Sequence, residues 1–317
     1  MARSLDGNGV TVGSVMALGA GAVWSFGAIT ARLADGTDAF QYLIWRSLGI
    51  IVVVEVWTLV TRQPRRTIVA FRSGRRMMAA NLALLVASIG FVYAVKSTSL
   101  ADAAFLGSTS PLFGVVLGRW FLGERLNART IATVVVAMIG LAVMFLGGLG
   151  GGNLAGDLAA LCSALGFAAY TALVRSAPER DWSPVMPGYA VLMIAICAAV
   201  TIGGGNTLVP PGGDIALALL HGGLFIVGGT MLYNGASRSV PVGAMMVFAQ
   251  TEMILVPCWA FLVLAERPPT NTVVGGAIIL AAVICKAILD GRAGRTAAPD
   301  GEAPPPAPPI DPILAAT

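Results

Sequence analysis

Apolar residues run through this chain in long blocks, with polar residues confined to short intervals between them. A helix rises about 1.5 Å per residue, so about 20 apolar residues cross a hydrocarbon layer roughly 30 Å thick. On that rule the pattern predicts ten spans: Thr11 to Arg32, Phe40 to Val60, Met77 to Lys96, Ala101 to Phe121, Thr130 to Gly147, Gly156 to Val174, Val185 to Gly203, Asp214 to Asn234, Val242 to Leu264 and Thr272 to Leu289. The first is too long an apolar run for a signal peptide, although Ala20-Gly21-Ala22 has the look of a cleavage site. Beyond Gly291 the pattern stops. That tail carries Pro304-Pro305-Pro306 and Pro308-Pro309, which predict an extended or disordered end, a polyproline ligand being the alternative.

The blocks repeat. Ser110-Pro111 inside a span, then Gly123-Glu124-Arg125, then a span opening at Thr130 return 142 residues later as Glu252-Met253, Ala265-Glu266-Arg267 and a span from Thr272. Gly13 to Arg32 matches Gly156 to Arg175 at an offset of 143, which pairs Trp24 with Phe167. An offset of 140 pairs Tyr93 with Tyr233 and Ser97 with Ser237, and sets Asn81 opposite His221. Five spans per unit is an odd number, so the second copy enters the membrane from the opposite side. The expected architecture is an all-α polytopic membrane protein, its ten transmembrane helices arranged as two inverted five-helix repeats. Residues 1–10 form the N-terminus, 11–148 the first repeat, 149–155 a glycine-rich hinge, 156–290 the second repeat and 291–317 the proline-rich tail. Inverted repeats recur in secondary transporters, where two near-equivalent packings supply inward-open and outward-open states.

Composition supports the membrane assignment: 56% hydrophobic residues, 11% charged and a mean hydropathy of +0.82 leave too little polar surface for a water-soluble globule of 317 residues. The bilayer is therefore an expected partner. With the N-terminus inside, fourteen arginines fall on inner segments, while only Arg32, Lys96 and Arg267 fall on outer ones, which places both termini in the cytoplasm. The net charge of +4 thus marks sidedness and gives no reason to expect nucleic acid. The arginines from Arg62 to Arg76 read as a topology signal, with lipid headgroup contact as a secondary role.

Several chemistries are excluded. Cys162, Cys197, Cys258 and Cys285 form no CxxC pair and read as packing residues, so neither a disulfide framework nor a zinc site is expected. A single histidine rules out HExxH, and neither GxSxG nor a Walker sequence occurs. Gly150 to Ala155 satisfies GxGxxA but has no strand before it. No metal, cofactor or enzymatic activity is expected; a polytopic membrane enzyme and a non-transporting scaffold are the rivals from other classes.

Ten spans in a five-plus-five order, Trp24 in the first span, Tyr93 to Ala103 across the third and fourth, Ser110-Pro111 through Gly123-Glu124-Arg125, and Glu252 through Ala265-Glu266 together resemble the EamA-type branch of the drug/metabolite transporter superfamily. The resemblance covers about residues 11 to 290 and implies export of amino acids, metabolites or drugs across a bacterial inner membrane. Two positions depart from the family pattern: Met253 replaces a proline expected after Glu252, with Pro257 one turn later, and Ala265 replaces a glycine.

Charge inside a bilayer costs about 2.5 to 3.5 kcal/mol on the insertion scale, so each intramembrane ionisable group is a candidate site. Glu252, beside Gln250 and Thr251, is expected either to bind protons or a substrate amine in a central cavity, or to bond a neighbouring helix. Arg46 is expected to hold a substrate carboxylate or to pair with Glu55 or Glu252. His221 reads as a proton relay or as a bridge between two close helices. Trp24, Asn81, Ser108, Thr109, Ser110 and Pro111 complete the candidate lining, with Pro111 expected to kink the fourth span. Glu124 and Glu266 are expected to favour the N-termini of the helices that follow them, a gate ion pair being the alternative. Substrate and protons would then meet at the midplane.

Overall fold

In the computed structural model, residues 7–97, 105–124, 128–144, 153–264 and 270–296 are described; they are helical with connecting turns and contain no strand. The helices are α1 (Gly7–Leu33), α2 (Ala39–Val60), α3 (Arg66–Arg72), α4 (Arg75–Ser97), α5 (Ser110–Leu122), α6 (Ala128–Met144), α7 (Leu154–Ser176), α8 (Val185–Gly203), α9 (Gly212–Ala236), α10 (Val242–Ala249), α11 (Thr251–Leu264) and α12 (Thr270–Thr296). Six stretches among the described residues are long and apolar enough to cross a membrane: those of α1, α2, α7, α8, α9, and α10 with α11. The other four predicted spans fall short of that measure for identifiable reasons. α4 opens on Arg75-Arg76 and carries Asn81. α5 has only 13 residues, and the apolar parts of α6 and α12, Ala128–Val143 and Val273–Cys285, are short.

Local signals set the boundaries. Asp38 starts α2 through a capping box: its carboxylate accepts from the Phe40 and Gln41 amides at 2.7 and 3.0 Å, and Gln41 Oε1 accepts from the Asp38 amide at 3.1 Å. The same end is tied to the segment before α9, since Gln41 Nε2 donates to the Thr207 carbonyl at 2.5 Å and Trp45 Nε1 to the Leu208 carbonyl at 2.9 Å. Helix α9 contains a π-helical turn over His221–Ile226, which the apolar pattern gave no sign of. Helix α3 was likewise hidden in what reads as a polar loop. It forms because Glu55 Oε1 accepts from both the Thr67 amide and hydroxyl at 2.7 Å.

The polarity is inside out relative to a soluble protein. Large apolar side chains such as Val52, Val56, Trp57 and Leu165 are exposed, whereas Ser25, Ser47, Asn81, Thr171, His221 and Gln250 are buried. Lipid gives helices no hydrophobic reason to associate, so packing depends on close backbone approach and interhelical hydrogen bonds. Two crossings show it. Between α4 and α7, a Cβ on Gly90 would stand 2.7 Å from the Ala159 carbonyl oxygen and one on Gly166 2.8 Å from that of Ala83, while Ser163 Oγ donates to the Ala87 carbonyl at 2.6 Å. Between α2 and α9, Gly49 lies against the Leu219 backbone and Gly222 against that of Arg46. Of the four cysteines only Cys197 is buried. Cys162, Cys258 and Cys285 are exposed and all four are free thiols, so packing accounts for one of them.

Gly166→Leu sets a side chain against backbone that cannot move aside, and is expected to cost about 1–3 kcal/mol. Gly203, which has nothing within 4 Å, is the control. Thermal unfolding in detergent should show a clear loss for Gly166→Leu and almost none for Gly203→Ala.

Candidate functional site

Two interrupted helices meet at the centre. One interruption is the turn at Ser108-Thr109, between the helical residues 105–107 and α5; the other is Gln250, between α10 and α11. Gln250 Nε2 donates to the Ser108 carbonyl at 3.2 Å, joining them. Pro111 does not bend a continuous helix as expected. It sits in the first turn of α5, the one helical position where a missing N–H and a fixed φ do no harm, so the helix starts there. The Leu106 carbonyl accepts from both the Thr109 amide at 3.1 Å and the Thr109 hydroxyl at 2.6 Å, which closes the turn at the break. Ser110 and Pro111 are both buried.

Beside this junction lies an aromatic group. Trp24 meets Phe167 edge-on with ring centres 6.1 Å apart and Tyr233 at 5.3 Å, and Phe167 stacks on Tyr233 at 5.5 Å. The Trp24 ring lies over Gly229, where any side chain would collide with it. Tyr233 Oη is 2.9 Å from Thr171 Oγ1, and Tyr170 Oη donates to Asn234 Oδ1 at 2.5 Å, so both phenols are satisfied.

His221 opens the π-helical turn of α9. Its Nδ1 is 2.9 Å from Tyr42 Oη, which in turn is 3.3 Å from Thr30 Oγ1, a short polar chain across α9, α2 and α1. Its imidazole rests on Gly27. Arg46 lies one turn along α2 from Tyr42, with its backbone against Gly222 of α9. Neither expected ion pair forms. Glu55 is engaged by Thr67, no ion pair or hydrogen bond joins Arg46 to Glu252, and the buried Arg46 Nε has no hydrogen-bond partner.

Glu252 and Thr251 stand in the first turn of α11 against Gly21 of α1, where a Cβ would be 3.1 Å from the Glu252 amide nitrogen. Gly27, which carries His221, is on a different face of α1, nearly two turns away. Asn81 is fully buried in α4 against Gly188 of α8, and neither amide atom has a partner. The nine residues singled out from the sequence therefore form three groups: Gln250, Thr251 and Glu252 with Ser110 and Pro111 at the helix breaks, Trp24, Arg46 and His221 where α1, α2 and α9 meet, and Asn81 apart. Two open, shallow apolar grooves lie on the outer faces of α2 and of α1 with α9.

Sequence reasoning passed over Tyr42 and the partner of Glu124. Gly123 takes a left-handed φ of 66° after α5 and turns the next residue back over the helix end, with the Glu124 amide donating to the Gly118 carbonyl at 3.0 Å. Glu124 Oε1 then meets Arg175 Nε at 3.2 Å, and Glu124 Oε2 accepts from the Val242 amide at 3.2 Å. Arg175 Nη1 also donates to the Ser237 carbonyl at 2.6 Å. So Glu124 serves the N-terminus of α10, across the bundle, and the ion pair ties the ends of α5, α7 and α9 to it. Its counterpart Glu266 lies outside the described residues.

Comparison with known proteins places this geometry. The model of the EamA-like transporter family matches the chain twice, over residues 11–146 and again over 154–286. The chain belongs to the EamA-like transporter family. A relative of this transporter in Clostridium kluyveri, named an uncharacterized transporter, is 25% identical over 77% of this chain and 81% of its own. An uncharacterized protein of Pseudomonas aeruginosa is 30% identical over 82% of this chain and 91% of its own. A solved crystal structure superposes with a TM-score of 0.72, covering 87% of this chain and 98% of that one at 18% identity, a likeness of fold. As an EamA-like transporter the chain is a membrane protein that works in a bilayer on a small-molecule substrate.

The Glu124–Arg175 pair in this transporter is part-buried, with side-chain exposures of 21% and 18%. A double-mutant cycle with Glu124→Gln and Arg175→Gln is expected to give a coupling of about 1–2 kcal/mol in detergent unfolding. Independent, additive losses would show that the two side chains do not act as a pair.

Proposed function

We propose that this EamA-like protein is a secondary transporter that exports a small organic solute, an amino acid or a related metabolite, by alternating access between two inverted five-helix units. The units are residues 11–148 and 156–290, joined by the hinge 149–155 and flanked by the ends 1–10 and 291–317. The observation that carries the reading is that residues equated by the repeat touch each other. Gln250 bonds to Ser108, its counterpart at an offset of 142, and Trp24 packs on Phe167, its counterpart at 143. Self-contacts of this kind arise on a two-fold axis.

Helix pairing supports the same axis. Exchanging α1 with α7, α2 with α8, α4 with α9, α5 with α10 and α11, and α6 with α12 turns the packing of α1 on α9 into that of α7 on α4. It turns α2 on α9 into α8 on α4, and leaves α2 on α8, α5 on α10 and α6 on α12 unchanged. The match is not complete: α1 packs on α12 and α10 on α6 and α7, and among the described residues the counterpart packings of α7 on α6 and of α5 on α12 and α1 are not comparable. Two copies in one conformation must differ somewhere, because each alternating state closes one side only. Broken helices at matching positions are also where transporters of this design place their binding sites.

Substrate and coupling functions are assigned to Glu252, Arg46, His221, Trp24, Asn81, Ser110, Pro111, Gln250 and Thr251, with Glu252 or His221 as the proton carrier. The arginine distribution supports cytoplasmic termini, and the bacterial relatives support the inner membrane.

Proteoliposomes loaded with a radiolabelled amino-acid mixture test the proposal. Efflux should accelerate under an inward proton gradient in the wild type and lose that acceleration in Glu252→Gln. Efflux indifferent to the gradient in both proteins removes proton coupling, and labelling that puts the loops 61–76 and 177–184 on different sides of the membrane removes the inverted repeat.

A further inference from the structure

The α2–α3 corner carries more unpaired charge than topology needs. Arg62, Arg65, Arg72, Arg75 and Arg76 are all exposed, and none has a side-chain partner among the described residues. The acids nearby are engaged: Glu55 holds Thr67, and Asp181 pairs with Arg66 at 2.6 Å. Arg66 also binds Gln63, and Arg180 Nη2 donates to the Ser73 carbonyl at 2.6 Å, so α3 is held at both ends. On this fixed helix the buried Ala70 faces the protein, and Phe71 and Ile68 lie exposed on the opposite face beside Arg65 and Arg72. Apolar and cationic side chains mixed on one outward face suit the boundary between acyl chains and headgroups.

Two further features converge on the corner. An open apolar groove of about 380 Å³ runs along α2 between Val52, Val53, Val56, Trp57 and Val60, and so ends two residues before Arg62. Arg62 itself has φ of 53°, the only non-glycine residue among those described with positive φ. It ends α2 where glycine is the unstrained choice, with the Gln63 amide closing the turn on the Thr58 carbonyl at 2.9 Å. A strained arginine held at the mouth of an apolar groove calls for a ligand that uses its charge.

We propose that the α2–α3 corner is a binding site for an anionic phospholipid, with an acyl chain in the Val52–Val60 groove and the phosphate on Arg62 and Arg65, Arg72 adding a second cationic contact. The site is separate from the transport pathway and does not rest on the transport reading.

Thermal unfolding of the purified full chain in neutral detergent, with dioleoyl phosphatidylglycerol or dioleoyl phosphatidylcholine added, tests it. Phosphatidylglycerol should raise the Tm of the wild type and phosphatidylcholine should not. Arg62→Gly should move two readouts in opposite directions: a higher Tm in detergent alone, because the strain is relieved, and a phosphatidylglycerol increment cut to roughly half or less. Arg65→Gln, at an exposed side chain with no partner to lose, should lower the increment without changing the detergent Tm. Val56→Trp, which fills the groove, should lower it with every arginine in place. Equal increments for the two lipids, or an undiminished increment in Arg62→Gly and Arg65→Gln, would overturn the site. Glycerol phosphate reproducing the shift would overturn it too, since the ligand would then be a free phosphate and the groove irrelevant.

Discussion

Inside hydrocarbon every backbone polar group needs a partner from the protein, so a membrane helix can be interrupted only where another element covers the break. The hydrogen bond from Gln250 to the Ser108 carbonyl meets that requirement for two breaks at once. It brings the broken spans together at the centre, with Thr109 closing the turn onto the Leu106 carbonyl and α10 buried along its whole length. The aromatic group of Trp24, Phe167 and Tyr233 packs next to it, and of the helices carrying those rings α1 packs on α9 and α7 on α4.

Much of this was legible as length and repetition. Apolar runs located the six stretches long enough to cross a membrane, and offsets near 142 equated Ser108 with Gln250 and Trp24 with Phe167, pairs whose contact no property of either residue announces. What the sequence hid depends on partners distant along the chain. Arg46 invited an ion pair with Glu55, but Glu55 is drawn to the amide end of α3, and α3 exists because Glu55 is there. Glu124 reads as a residue of its own turn and instead serves α10, because the left-handed Gly123 aims it across the bundle. Pro111 looked like a kink since the apolar run continues on both sides of it; hydropathy does not record where a helix stops and another begins.

The polar interior divides into groups of different character. Around Trp24 the hydroxyls and amides satisfy one another, so that region is firm. Arg46 Nε and the Asn81 amide are buried without partners, which is costly in a low-dielectric interior and is retained where a ligand or a second conformation supplies what is missing. The two lie on α2 and α4, both of which pack on α8.

The π-helical turn over His221–Ile226 has one more consequence. Such a turn holds one residue beyond the α-helical complement, and a single residue in a helix of 3.6 per turn corresponds to about 100° of rotation. The surplus therefore sets the azimuth of everything after it: Gly229 beneath Trp24 and Tyr233 beside Phe167 face α1 and α7 because α9 has been wound past His221 by that amount.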